Sequence, residues 1–395
     1  MHRRGNGLDC LLITCFLAAL CLPALAAALG WQPSGALSEN RVLAAPPPWP
    51  TTRAEAEALP AQLTALANDR FGLRNLLLRW NGRLRYGLFG EFTSDQLTAG
   101  QGGRFFLNSH VPGHAFSLID ESCGVGMTDA ALHQAADGLA TLLRDMRTVA
   151  PRVLYLGIPT SPVLDRDALP GWLRARCAGW MPVAQAVAAT LNERAPDLAK
   201  MVMVPQDALF AMQREGENPY PAKDFHWEGQ AGQRVAALAA ERLGLPLLQP
   251  LPTTVIPRDS DLTQFMPGLT PKHAALVPLH AGGGLRVCYN APCLPALLPV
   301  ATAINELTLT ERLSGEGPRL LLISDSFGAR VSDFVGAYAG QVLHLNLAFE
   351  RMTPSQRTTL RQVVLHDFHP DAVLLVQHDG GMRAAIDWAR NLFGP

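Results

Sequence analysis

Apolar positions recur along this chain with two different periods. In RAEAEALPAQLTALANDRFGLRNLLLRWNGRLRYGLFG, from Arg53 to Gly90, they return at helical spacing. Leu73, Leu76, Leu77, Trp80 and Leu84 share one face, with Arg70, Arg74, Arg79, Arg83 and Arg85 around the others. Such a helix either lies on a membrane surface or against a membrane partner, or packs its apolar face on a domain. Beyond Gly100 the period changes. GRFFLNSH reads as a short strand ending in a polar loop, and RVLYLGIP, MVMVP, RLLLIS, QVLHLNL and DAVLLV read as buried strands. Between them DAALHQAADGLATLLRDMRTVA, PVAQAVAATLNERA and QRVAALAAERLG read as helices. Apolar strands separated by helices predict an α/β fold: a mainly parallel sheet with helices on both faces. Ligands in such sheets bind beyond the carboxyl ends of the strands. The stretch from Pro246 to Pro299, rich in proline, gives no legible pattern.

The N-terminus adds a membrane element. MHRRGNGLDC is basic, and no charge follows from Cys10 to Gly30. About 20 apolar residues suffice to span a bilayer as a helix. The preceding arginines keep the N-terminus in the cytoplasm and place everything after Trp31 outside. We read an uncut anchor, with a signal peptide cleaved near ALAA (Ala24 to Ala27) as the alternative. The PPPWP run then makes a stiff extended spacer. The expected organisation is a cytoplasmic tail (1–9), a transmembrane anchor (10–30), a linker with the amphipathic helix (31–100) and a catalytic domain (101–395).

Charge and cysteine content narrow the chemistry. A formal net charge of -1 without a basic run gives no surface for nucleic acid. Outside the anchor the cysteines are Cys123, Cys177, Cys288 and Cys293. The short CYNAPC spacing points to a Cys288–Cys293 loop, leaving Cys123–Cys177, as an oxidising periplasm allows. With neither a CxxC pair nor HExxH, we expect no metal site, and the chain has no nucleotide-binding loop.

Two short motifs carry the candidate chemistry. RLLLISDSFGAR runs a buried strand into a turn that exposes Ser326 at the start of a helix, where backbone N–H groups can form an oxyanion hole. Taken alone, Ser326 is as readily a helix cap. DFHWEGQAG supplies the rest of a triad. A hydroxyl needs a base, and the base needs a group that fixes its tautomer. Here Asp224 is expected to orient His226, with Ser326 arriving from 100 positions away. Trp227 divides between stacking on a sugar face and belonging to the core. Asn108 and His110 follow the first strand of the domain and divide between donating to an acetyl or sugar oxygen and forming a simple turn. His378 and Asp379 are expected as an exposed loop pair, and His366 and His369 as surface residues.

These segments resemble a known family. The anchor, SENRVLA with its proline-rich continuation, NDRFGLRN, the GRFFL strand, DFHW and SDSF are together similar to the SGNH-hydrolase-like proteins of alginate and related polysaccharide O-acetylation. In that family an Asp-x-His-Trp precedes a Gly-Asp-Ser-Phe, and this chain has Ser324 where the family has glycine. The resemblance implies that Asp224 orients, His226 is the base and Ser326 takes the acetyl group. It implies a periplasmic O-acetyltransferase with a membrane-bound O-acyltransferase as donor partner, an exported polysaccharide as acceptor and no cofactor. A carbohydrate acetylesterase of the same fold, and a non-catalytic polysaccharide-binding or assembly protein, are the alternatives.

Overall fold

The computed structural model describes residues 5–31, 43–108, 117–348 and 351–393; His110 lies outside them. The chain divides into two compact units, residues 1–95 with 262–271, and residues 96–261 with 272–395.

The first unit is helical. Gly5–Ala28 is one helix, and its Gly7–Ala28 stretch, of mean hydropathy 2.5, is long and apolar enough to cross a membrane. Arg53–Arg70 starts at a capping box: the Thr52 side chain accepts from the N–H of Glu55, whose carboxylate accepts from the N–H of Thr52. Arg74–Phe89 stops at Gly90, whose left-handed φ of 67° turns its N–H back to the carbonyls of Arg85 and Tyr86.

The second unit is α/β. Its strands are β1 (Leu97–Ala99), β2 (Phe105–Leu107), β3 (Arg152–Ile158), β4 (Val202–Met203), β5 (Thr253–Asp259), β6 (Lys272–Pro278), β7 (Leu285–Tyr289), β8 (Ile304–Arg312), β9 (Arg319–Ser324), β10 (Gln341–Leu347) and β11 (Ala372–His378). The central sheet has the order β4-β3-β11-β9-β10-β8-β7. Its first five strands are mutually parallel, and β8 and β7 extend it antiparallel. Strand side chains alternate between two covered faces. Tyr155, Leu321, Ile323, Leu343, Val373 and Leu375 join one core with residues of Asp129–Val149, Val183–Arg194 and Met382–Phe393. Gly229–Arg242 and Gly328–Val335 pack together and against β3, β9 and β10.

Two features depart from the sequence expectation, and the expected disulfides are present. Among the described residues the GRFFL strand (β2) pairs with β1 alone, in a two-stranded hairpin apart from the main sheet. The proline-rich stretch holds a second hairpin, β5 with β6, and edge strand β7. Most side chains of β5 are at least partly exposed, so it shows no period-2 apolar pattern. Disulfides join Cys123 to Cys177 and Cys288 to Cys293.

Candidate active site

The site forms where the parallel strands end. The chain leaves β3 towards β4 on one side and leaves β9 towards β10 on the other, which opens a crevice at the carboxyl ends between them. Strand β9 ends at Ser324, and Asp325, Ser326 and Phe327 make the turn into the helix Gly328–Val335. The turn is tight: a Cβ on Gly328 would stand 2.1 Å from Ser324 Oγ. Asp325 pins it to β11. Its Oδ1 accepts the N–H of Phe327 at 2.8 Å and its Oδ2 the N–H of His378 at 2.7 Å. Ser324, where the resembled family has glycine, donates to Asp325 O at 2.7 Å and meets buried His344 Nε2 at 2.8 Å. With every neighbour held, Ser326 is left exposed.

Ser326 Oγ lies 2.7 Å from His226 Nε2, so the residues 100 positions apart do meet. The other ring nitrogen, Nδ1, is bonded to Asp261, not to Asp224. This corrects the assignment of the orienting acid, and the cause is local. An aspartate two positions before a residue readily bends back to that residue's backbone, and Asp224 Oδ1 accepts the N–H of His226 at 3.3 Å. Its Oδ2 faces His273 Nδ1 at 3.2 Å. Asp261 stands just beyond β5 and receives the N–H groups of Phe225 (2.9 Å) and His226 (3.2 Å) besides the imidazole.

The two carboxylates therefore differ in charge. Burial and then the adjacent Asp261 carboxylate push Asp224 up to about 9, so it is protonated at neutral pH. Burial also pushes Asp261 up, but hydrogen bonds from His226 and Asp224, and the charge on His226, outweigh it. They hold Asp261 well below the usual carboxylate range. A neutral acid thus backs an ionised one. Asp224, His226 and Asp261 offer ligand atoms within 4.8 Å of one another, and a metal there would compete with the His226–Asp261 bond.

A third carboxylate ties the contributing segments together. Glu228 follows His226 and Trp227 and stands at the start of the helix Gly229–Arg242. It accepts from Arg258 of β5 at 2.8 Å and from Arg330, one turn past Ser326, at 3.0 Å, and lies 3.4 Å from His273 Nε2 of β6. Burial pushes Glu228 up, but His273 and the two arginines prevail and hold it down at about 2.

The remaining candidates among the described residues, Trp227, Asn108, His378 and Asp379, are buried. Trp227 is fully buried, and its Nε1 donates to Phe327 O at 3.0 Å. It braces the turn that carries Ser326, and its ring is not available to stack on a sugar. Asn108 is buried, its N–H donating to Gln96 O at 2.7 Å and its carbonyl accepting from Leu118 at 3.2 Å. His378 and Asp379 are buried rather than an exposed pair. Burial, and then the charge of His226, lower His378 to about 3, and its neutral ring packs on Phe327 at 5.2 Å. Asp379 accepts from Ser122 and Thr160, each at 2.8 Å, closing the ends of β3 and β11 together. Two N–H groups of the turn are spent internally, that of Phe327 on Asp325 Oδ1 and that of Gly328 on Asp325 O at 3.2 Å. The expected oxyanion donors are thus reduced. Asp261, Glu228 and His273 were missed from sequence; the one signal was RDSDL, an acid beyond a short β-branched run.

No protein-family model matches the chain, and no curated protein sequence matches it. Solved structures of similar shape include a DHHW family protein from Eubacterium siraeum, at 13% identity and TM-score 0.45, covering 74% of this chain and 97% of that one. The O-acetyltransferase domain of Pseudomonas putida AlgJ aligns at 13% identity and TM-score 0.42, over 75% of this chain and 99% of that domain. Bacillus cereus PatB1 aligns at 11% identity and TM-score 0.42, over 64% and 90%. Likenesses of this degree assign no activity to the chain.

Proposed function

We propose that this protein is an exported O-acyltransferase that moves an acetyl group, through an acyl-serine, onto hydroxyls of a polysaccharide. The supporting observation is the 2.7 Å contact of exposed Ser326 Oγ with His226 Nε2, whose other nitrogen is held by Asp261. Ser326 Oγ attacks the acetyl carbonyl carbon while its proton passes to His226 Nε2, and ionised Asp261 stabilises the imidazolium. The tetrahedral intermediate collapses, and His226 returns the proton to the leaving oxygen. An acceptor hydroxyl then gives its proton to His226 and attacks the acyl carbon; the bond from Ser326 Oγ to that carbon breaks, and His226 returns the proton to Oγ. The N–H of Ser326 itself is our candidate oxyanion donor, since those of Phe327 and Gly328 are engaged within the turn.

The acetyl group, the polysaccharide and the membrane-bound donor partner come from the family resemblance of the sequence. The two disulfides agree with an oxidising compartment. A second reading, acetylester hydrolysis, is favoured by the exposure of Ser326, since an open acyl-serine also admits water. Mass spectrometry of Ser326 after incubation with an activated acetyl ester, with and without an oligosaccharide acceptor, separates them. Acetyl on Ser326 that moves to sugar supports transfer. Acetate released at one rate with or without acceptor supports hydrolysis. A Ser326→Ala protein that turns over like the parent removes both, leaving a binding or assembly role.

A further inference from the structure

The helix Arg74–Phe89 leaves a row of large apolar side chains exposed. Leu77, Trp80, Leu84 and Leu88 are 49, 53, 52 and 71% exposed. At 100° per residue these positions fall within about 80° of one another, a single apolar stripe. The opposite side packs at its middle, while Phe89 at its end is 71% exposed. Gly82 abuts Pro267, where a Cβ would stand 1.9 Å from the carbonyl oxygen, and Arg83 Nε donates to Gly268 O at 2.9 Å. Arg85, beside the stripe, pairs with Glu91 at 3.0 Å.

A second observation fixes where the stripe lies. Gly72, just before the helix, is pressed against the apolar span: a Cβ there would come within 1.9 Å of Pro23 O and 2.6 Å of Ala27 N. Pro23 and Ala27 belong to the last part of the stretch long enough to cross a bilayer. The helix thus starts beside the outer end of that stretch.

We propose that the anchor is retained and that the Leu77–Trp80–Leu84–Leu88 stripe lies in the outer boundary of the same membrane. Its leucines enter the upper acyl region and Trp80 sits at the headgroup level. An aromatic at the edge of the stripe, next to its leucines, fits a lipid interface better than a dry protein groove. This placement does not depend on the acyl-transfer reading.

The full chain in nanodiscs of phosphatidylethanolamine and phosphatidylglycerol tests it. The fluorescence of Trp80 is taken as the difference between the parent and Trp80→Phe, with lipids brominated near the headgroup as quencher. We expect at least twofold quenching of that component, and its loss in Leu84→Glu/Leu88→Glu while quenching of the remaining tryptophans, Trp31 included, is kept. A Trp80 component that bromolipid leaves alone and aqueous iodide quenches overturns the proposal. So does an exported chain recovered from cells cut within Ala24–Ala27. A photo-crosslinker at Leu84 that captures a membrane protein in native membranes, with no lipid quenching, assigns the stripe to that protein instead.

Discussion

At the scale of single residues, the site turns on which of two aspartates carries charge. Asp261 is ionised and holds the imidazole, whereas Asp224 is buried and protonated beside it. Asp261→Asn should therefore lower kcat for an acetyl ester by about 10⁴-fold, the loss seen when the orienting acid of a serine hydrolase is neutralised. Asp224→Asn replaces a neutral acid by a neutral amide, and we expect less than about a tenfold loss. Steady-state turnover of the two variants decides, and the reverse ranking would restore Asp224 as the orienting group. The pH dependence has a definite sign. A carboxyl raised to about 9 in the folded state contributes stability that is complete below its unfolded pKa, near 4. That contribution is lost as pH rises towards 9. An amide does not titrate, so the Tm of Asp224→Asn relative to the parent should climb between pH 5 and pH 9. A flat difference would show that Asp224 is not held protonated.

At the scale of elements, one buried side chain gathers the pieces of the site. Glu228 binds β5, which leads to Asp261, through Arg258, and the helix behind Ser326 through Arg330, while lying next to the His226 loop. Removing one partner of a buried ion pair costs about 3–5 kcal/mol. Arg258 and Arg330 are 26 and 22% exposed, so water relieves part of that, and we expect about 1–3 kcal/mol for Glu228→Gln. The kcat should fall at least tenfold with KM nearly unchanged, because the reacting groups lose registry while the surface that meets substrate does not. Glu228 titrates low, so its contribution is present above about 4.5 and lost as pH falls towards 2. Denaturant unfolding at pH 7 and pH 3 measures this; a variant equal to the parent in both stability and kcat would remove Glu228 from the design.

At the scale of the whole molecule, the disulfides close loops of very different length. Cys123–Cys177 spans 54 positions and Cys288–Cys293 only 5. The chain-entropy model gives about 4 kcal/mol for the first and about 2 kcal/mol for the second. Cys123 and Cys177 are also fully buried in one small apolar cluster, so their loss costs packing as well. Cys123→Ala/Cys177→Ala should therefore lower Tm more than Cys288→Ala/Cys293→Ala, and equal shifts would contradict the loop-length reasoning.

Much of this was set by the chain's local order. Apolar runs of strand length between amphipathic helices specify the parallel core, because each run must be buried on both faces. A buried strand running into Asp-Ser-Phe-Gly specifies an exposed hydroxyl, since the strand fixes the start of the turn and Gly328 alone fits its tightness. The uncharged stretch before Trp31 specifies a helix able to span a bilayer. Tertiary structure decided what distance along the chain conceals. Asp261 is 35 positions from His226 and follows a hairpin strand too exposed to show an apolar pattern, so nothing local marks it as a partner. Asp224 looked the better candidate because it was near, and nearness is what disqualified it: two residues of chain carry its carboxylate to the backbone N–H of His226, not to the ring. Trp227 became a brace rather than a binding face only when Phe327 O came within 3.0 Å of its indole nitrogen. Sequence spacing reports groups that share a turn or a face; charge, burial and the choice among carboxylates depend on segments that meet only after folding.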